Sequence, residues 1–151
     1  MNYKRRLVFR WVLVFGWLVL TVYLSQQPSA ESSATSGWLA RILFKVVRHF
    51  RPSASYAIFH HLVRKAAHFI AHFVLAWLGY RAFMLCFNKQ LYAVVSALSI
   101  FGLIAVYDEL IQSVAPGRAM MIGDAMINIA GIFSGVLFGI FATMVYDALK
   151  Q

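Results

Sequence analysis

Carboxylates are scarce in this chain, and three of them stand close together. The sequence has five Asp and Glu residues against fourteen Lys and Arg residues. Asp108 and Glu109 lie near the end of one apolar segment, and Asp124 lies at the start of the next. An ionisable group held at membrane depth is costly unless it is paired, so these residues are candidates for a functional site. With a histidine nearby, such carboxylates could do general acid/base chemistry.

Other polar residues are spaced so that they could join these carboxylates. Residues three or four apart in a helix lie on one face. That spacing produces three polar faces: Lys65, His68 and His72; Asp108 and Gln112; Asp124 and Asn128. If the three faces lie at one depth, cations oppose anions and the cluster carries little net charge. We predict that they form one pocket, which also includes Glu109 and, on the connecting turn, Arg118.

Three interpretations of this pocket remain open. The first is a network that only fixes helix packing, because buried polar groups must be satisfied whatever they do. The second is binding of an amphiphile through Lys65, His68, Gln112, Arg118, Asp124 and Asn128, with an acyl or prenyl chain between the helices. The third is catalysis, with His68, Asp108 and Glu109 as the acid/base candidates. Two histidines four apart are a weak metal signal by themselves, so we predict no metal and no cofactor.

The composition places these residues in a membrane protein. Of the 151 residues, 62% are hydrophobic and 13% are charged, and the mean hydropathy is +0.72. Soluble domains are about 45–50% apolar and about 25% charged. The net charge of +9 predicts contact with anionic lipid headgroups. We expect no nucleic-acid partner, because the sequence has no nucleic-acid-binding motif.

Four apolar segments approach the roughly 20 residues that a membrane-spanning helix needs. They cover residues 7–24, 66–87, 91–114 and 123–149. The first segment has a basic start and a Ser/Ala-rich sequel, which is also typical of a cleaved signal peptide; Pro28 and Glu31 weaken the nearest cleavage sites. We predict one domain over residues 1–151, an all-α integral membrane bundle of four transmembrane helices.

A fifth helix is predicted between the first two spans. Residues 25–33 have the composition of a loop. From residue 38 to residue 50, apolar residues recur at helical spacing, and Arg41, Lys45 and Arg48 fall on the opposite face. This pattern predicts an amphipathic helix that lies in the plane of the lipid headgroups.

The basic residues also predict an orientation. Lys4, Arg5, Arg6 and Arg10 favour a cytoplasmic N-terminus, and four spans then bring the C-terminus to the same side. The basic residues between positions 41 and 65 would lie outside, against the positive-inside rule, although the first helix usually dominates that rule. The polar pocket is therefore predicted to face outward.

A stripe of glycines runs along the fourth span. Gly131, Gly135 and Gly139 form two overlapping GxxxG units, which allow two helix backbones to approach closely. The partner helix could belong to the same chain or to a second copy, so a homo-oligomer formed through these glycines is one expectation.

Four stretches match, in order and spacing, the elements of a known family. Residues 64–73, with Lys65 and His68, resemble a Lys-x-x-His-x-x-x-Tyr/His-Phe element. Residues 108–118 resemble Asp-Glu-x-x-Gln-x-x-x-Pro-Gly-Arg, residues 124–131 resemble Asp-x-x-x-Asn-x-x-Gly, and residues 25–28 resemble Ser-x-x-Pro. Over about residues 24–139 the chain thus resembles the VanZ-like family. His72 is a departure, since an aromatic residue is common at that position.

The resemblance implies a small multi-pass protein of the bacterial cell membrane. The namesake of the family is associated with low-level resistance to teicoplanin, a glycopeptide that carries an acyl chain. The implied site residues are Lys65, His68, Asp108, Glu109, Gln112, Pro116, Gly117, Arg118, Asp124 and Asn128. We therefore expect an outward-facing pocket for an envelope lipid or a glycopeptide-type amphiphile, linked to teicoplanin resistance. The alternatives are an enzyme acting on an envelope lipid and a purely structural network.

Overall fold

A computed structural model describes residues 2–26, 29–114 and 122–150, with only the helical backbone for residues 29–36 and 114. Five helices form in these ranges, and no strand does: α1 Tyr3–Ser25, α2 Ser29–Phe50, α3 Tyr56–Cys86, α4 Gln90–Val114 and α5 Ile122–Ala148. Helices α1, α3, α4 and α5 are long and apolar enough to cross a membrane. The prediction of an all-α, four-span bundle is confirmed.

Two predicted boundaries differ from the structure. Residues 29–33, predicted as loop, belong to α2, because Ala30 and Glu31 are good helix formers and no Gly or Pro occurs between positions 29 and 36. Helix α3 begins at Tyr56, ten positions before the predicted span. Hydropathy marks the bilayer crossing, whereas a helix continues through polar residues. With 31 residues, α3 is about 46 Å long and exceeds the roughly 30 Å hydrocarbon core.

Helix α1 packs antiparallel to α3. Three side chains of α1 donate hydrogen bonds to backbone carbonyls of α3 at successive levels. Tyr3 bonds to Leu85 at 2.5 Å, the Arg10 guanidinium bonds to the carbonyl of Arg81, and Trp17 bonds to Ala71 at 2.9 Å. The position on α3 falls as the position on α1 rises, so the end of α1 lies near the start of α3.

The glycine stripe of α5 packs against α3 of the same chain. A methyl group at Gly131 would lie 2.5 Å from the carbonyl oxygen of Phe69, and one at Gly135 would collide with the carbonyl of Phe73. Gly139 is in similarly close contact with the ring of Tyr80. The positions rise together, so α3 and α5 run parallel. The stripe thus has a partner within the chain, and self-association through it stays a prediction.

Polar and apolar residues are distributed as in a membrane bundle. The outer faces carry many exposed large apolar side chains, such as Leu103 at 72% exposure and Val19 at 68%. The buried residues include His72, Asp108, Glu109, Gln112 and Asn128 as well as apolar residues. Apolar surface faces outward, where lipid would solvate it, and polar groups face inward.

Helix α2 lies along the first turns of α3. The ring of Phe44 packs against the rings of Tyr56 and Phe59, at centroid distances of 5.2 and 5.5 Å. The Tyr56 hydroxyl donates a hydrogen bond to the carbonyl of Gly37 at 3.3 Å. The basic residues of α2, which are Arg41, Lys45 and Arg48, remain exposed. Contact of this basic face with lipid headgroups stays a prediction.

Candidate functional site

The polar residues gather where α1 and α4 end and where α3 and α5 begin. We call Ser25, Lys65, His68, His72, Asp108, Glu109, Gln112, Asp124 and Asn128 the polar cluster. Gln112 of α4 donates a hydrogen bond to the hydroxyl of Ser25 at the end of α1, at 2.5 Å. Lys65 of α3 pairs with Asp124 in the first turn of α5. Four helices therefore contribute side chains at one end of the bundle.

The inner part of the cluster is a buried chain of contacts. The Gln112 amide also donates a hydrogen bond to Oδ2 of Asp108 at 3.1 Å, and the same oxygen lies 3.8 Å from Nε2 of His72. His72 is fully buried, and Asp108 is 3% exposed. On the other side of the ring, Nδ1 of His72 lies 3.0 Å from the carbonyl oxygen of His68. Ser25, Gln112, Asp108 and His72 thus form one continuous polar path.

This path fixes the tautomer of His72. A carbonyl oxygen only accepts hydrogen bonds, so Nδ1 of His72 is the donor to His68. Nε2 then faces the Asp108 carboxyl group at 3.8 Å, which is too long for a hydrogen bond. His72 and Asp108 are thus neighbours in the buried part of the cluster without being hydrogen-bonded to each other.

The outer part of the cluster is an ion pair at the surface. Nζ of Lys65 lies 3.4 Å from Oδ1 of Asp124, and their side chains are 29% and 16% exposed. Asp124 is further favoured by its place in the first turn of α5. With Arg64, His68 and Ile127, the pair lines a narrow cleft that leaves no room for a water molecule.

Asn128 lies between these two parts. It follows Asp124 by one turn of α5 and precedes Gly131, which packs against Cβ of His72. The Asn128 side chain is fully buried, and neither its amide nitrogen nor its amide oxygen has a hydrogen-bond partner among the described residues. Leaving a buried polar group unsatisfied costs about 1–3 kcal/mol. Asn128 therefore destabilises the folded protein unless another group forms hydrogen bonds with its side chain.

The structure brings together most of the predicted residues, but His72 rather than His68 is the histidine beside Asp108. Lys65 meets Asp124, and Asp108 meets Gln112, as the polar faces predicted. His72 lies opposite Asp108, whereas His68 lines the outer cleft. Glu109 is buried at 1% exposure. Arg118, with Pro116 and Gly117, lies outside the described residues.

Ser25 is a member of the cluster that the polar helix faces did not predict. Its hydroxyl accepts the hydrogen bond from Gln112 although the two residues are far apart in the chain. The signal was present in the Ser-x-x-Pro segment, but nothing in the spacing linked the end of the first span to the third. Within the ranges that the structure describes, no group of three His, Cys, Asp or Glu side chains could hold a metal ion.

Comparison with protein families identifies the family of this chain. A family model described as VanZ/LLP1 matches residues 9–144. The chain belongs to the VanZ-like family. The match covers all of α3 and α4, most of α1 and α5, and the whole polar cluster. The motifs that suggested the family are thus part of a similarity over nearly the full length. Comparisons with curated proteins and with solved structures gave no match.

Proposed function

We propose that this VanZ-like protein binds the polar headgroup of an envelope amphiphile at the polar cluster. The observation that carries the proposal is Asn128, a fully buried amide whose donor and acceptor have no partner among the described residues. An amide offers two donors and an acceptor with two lone pairs. A headgroup with hydroxyl, amide or phosphate groups would supply the missing hydrogen bonds.

We propose that the ion pair between Lys65 and Asp124 forms the entrance to the ligand site at Asn128. Lys65 and Asp124 neutralise each other while the cleft is closed. An anionic ligand group would replace Asp124 as the partner of Lys65, and a ligand hydroxyl or amine would bind to the released carboxylate. Oδ1 of Asp124, the atom that faces Lys65, is buried without a hydrogen bond from any described residue, so moving Lys65 away without a replacement would cost about 1–3 kcal/mol. A ligand donor that binds this oxygen would offset that cost.

The surroundings favour an amphiphile over a soluble polar ligand. The two helices that carry the cleft also expose large apolar side chains: Leu62 and Ile70 on α3, and Ile122 and Met126 on α5. An acyl chain attached to the headgroup would lie along these faces in the membrane. Teicoplanin and the lipids of a bacterial envelope share this combination of a polar head and an acyl chain. We propose that the cluster faces the outer side of a bacterial membrane, with both termini in the cytoplasm, and that the protein lowers teicoplanin susceptibility.

The proposal is tested by binding and by susceptibility in parallel. Purified protein in detergent is titrated with teicoplanin or with extracted envelope lipid, and binding is followed by thermal shift. Lys65→Gln and Asn128→Leu should each lose the ligand-induced shift and the resistance conferred in a susceptible host. The matched control is Lys89→Gln, which removes one exposed cation on the α3–α4 turn, away from the cluster. Unchanged ligand shifts in both cluster variants would refute the proposal.

A second function is favoured by His72 and Asp108, a histidine and a carboxyl group that are buried side by side. Acid/base catalysis on an envelope lipid would use this pair, with Lys65 on a phosphate group. The test is incubation of the protein with envelope lipid extract and measurement of lipid masses. Conversion that is lost in Asp108→Asn supports the enzyme. Unaltered lipid masses with the unsubstituted protein would refute it.

A further inference from the structure

A second polar site lies at the opposite end of the bundle, between α1 and α3. It is a cavity of about 230 Å³, far larger than the roughly 10–15 Å³ that one water molecule needs. Its wall contains three arginines and three apolar residues: Arg6, Arg10, Arg81, Phe9, Leu13 and Leu78. Arg81 follows Lys65 on α3 by about 24 Å, so the cavity is separate from the polar cluster.

The three arginines converge without a described carboxylate to balance them. None of the Asp or Glu side chains that the structure describes lines the cavity, and none forms an ion pair with Arg6, Arg10 or Arg81. Three guanidinium groups around one space repel one another. Such an arrangement is stabilised by an anion in the space between them.

Two of the arginines are held in place by the protein. Arg10 is half-buried and donates a hydrogen bond to the backbone carbonyl of Arg81. The guanidinium of Arg81 lies over the ring of Trp77, 5.8 Å from its centroid. A guanidinium that is already fixed loses less side-chain entropy when it binds an anion. These contacts prepare the site before any ligand arrives.

The chemistry of the lining identifies the ligand. Guanidinium groups bind phosphate oxygens through two parallel hydrogen bonds. The cavity lies in the last turns of α3 and the first turns of α1, where a membrane-spanning helix reaches the headgroup level. Phe9 and Leu13 are 56% and 40% exposed and offer an apolar surface for an acyl chain. We infer that this cavity binds the phosphate of an anionic phospholipid.

Native mass spectrometry of the full chain in a non-ionic detergent tests the inference. The protein is titrated with phosphatidylglycerol, with phosphatidylcholine and with inorganic phosphate. We expect phosphatidylglycerol to bind in preference to phosphatidylcholine, whose choline cation meets three arginines. Arg6→Gln and Arg81→Gln should each weaken phosphatidylglycerol binding about fivefold.

The matched control is Arg5→Gln, which removes an exposed arginine next to Arg6 that does not line the cavity. Arg6 is exposed, so its variant is expected to fold even if Arg81→Gln does not. Three results would overturn the inference: equal binding of the two lipids, an equal loss in the Arg5 control, or inorganic phosphate displacing the lipid at equal concentration. The last result would identify a site for free phosphate.

Discussion

Replacing Asn128 by leucine should stabilise this protein. A buried amide with no hydrogen-bond partner costs about 1–3 kcal/mol, and a leucine of similar shape removes that cost. In a chain of 151 residues, this corresponds to an increase in melting temperature of about 2–12 °C. Asn128→Ala removes the same polar atoms without adding volume, and it guards against overpacking beside Gly131.

The comparison is with Gln112, another buried amide of the same cluster. Gln112 donates hydrogen bonds to Ser25 and Asp108, so Gln112→Leu should lose about 1–3 kcal/mol by leaving these partners unsatisfied. The assay is thermal unfolding in detergent, without added ligand, for the unsubstituted protein and the three variants. If both Asn128 variants destabilise the protein as strongly as Gln112→Leu does, Asn128 is bonded in the free protein. The proposed binding function then loses the observation that carries it.

Three further predictions concern packing, the entrance and topology. Gly135→Ala should lower the free energy of unfolding by about 1–3 kcal/mol, because its methyl group meets the backbone of α3. The control is Gly102→Ala, at a position with open space around it, which should raise the free energy of unfolding by up to about 1 kcal/mol. Equal melting temperatures of the two variants would contradict this packing. Lys65→Ala should lower the free energy of unfolding by about 1–3 kcal/mol, because it leaves the buried Oδ1 of Asp124 without a partner; an unchanged melting temperature in thermal unfolding would contradict this. In a variant without the native cysteine, Ser53→Cys should react with a membrane-impermeant maleimide in intact cells and Lys89→Cys only after permeabilisation; the reverse pattern would refute the proposed orientation.

Hydropathy predicted the four spans because each crossing requires a long apolar run, which is a local property of the sequence. It did not predict where helices begin. Helix α3 continues back to Tyr56 through His60, His61 and Arg64, because no Gly or Pro between positions 56 and 66 ends it at the edge of the apolar run. A bilayer limits the apolar length of a helix, and the backbone itself ends only at a break in propensity or at a turn.

The candidate site was predicted to the level of helix faces and no further. His68 and His72 share one face of α3, so spacing could not decide which of them meets Asp108. That choice depends on how far α3 is displaced along its axis relative to α4, and the structure selects His72. The glycines likewise predicted that another helix backbone would approach α5 closely, but they did not identify α3 as that helix. Both questions concern relations between helices, which a pattern within one helix does not contain.

The contact of α5 with α3 also determines which parts can move. At Gly135 the backbones touch, and a shift of one residue would bring Ser134 or Val136 against the Phe73 carbonyl. Sliding of α5 along α3 is therefore blocked at this contact. If the Lys65–Asp124 pair opens to a ligand as proposed, the two side chains rotate while the two backbones stay together.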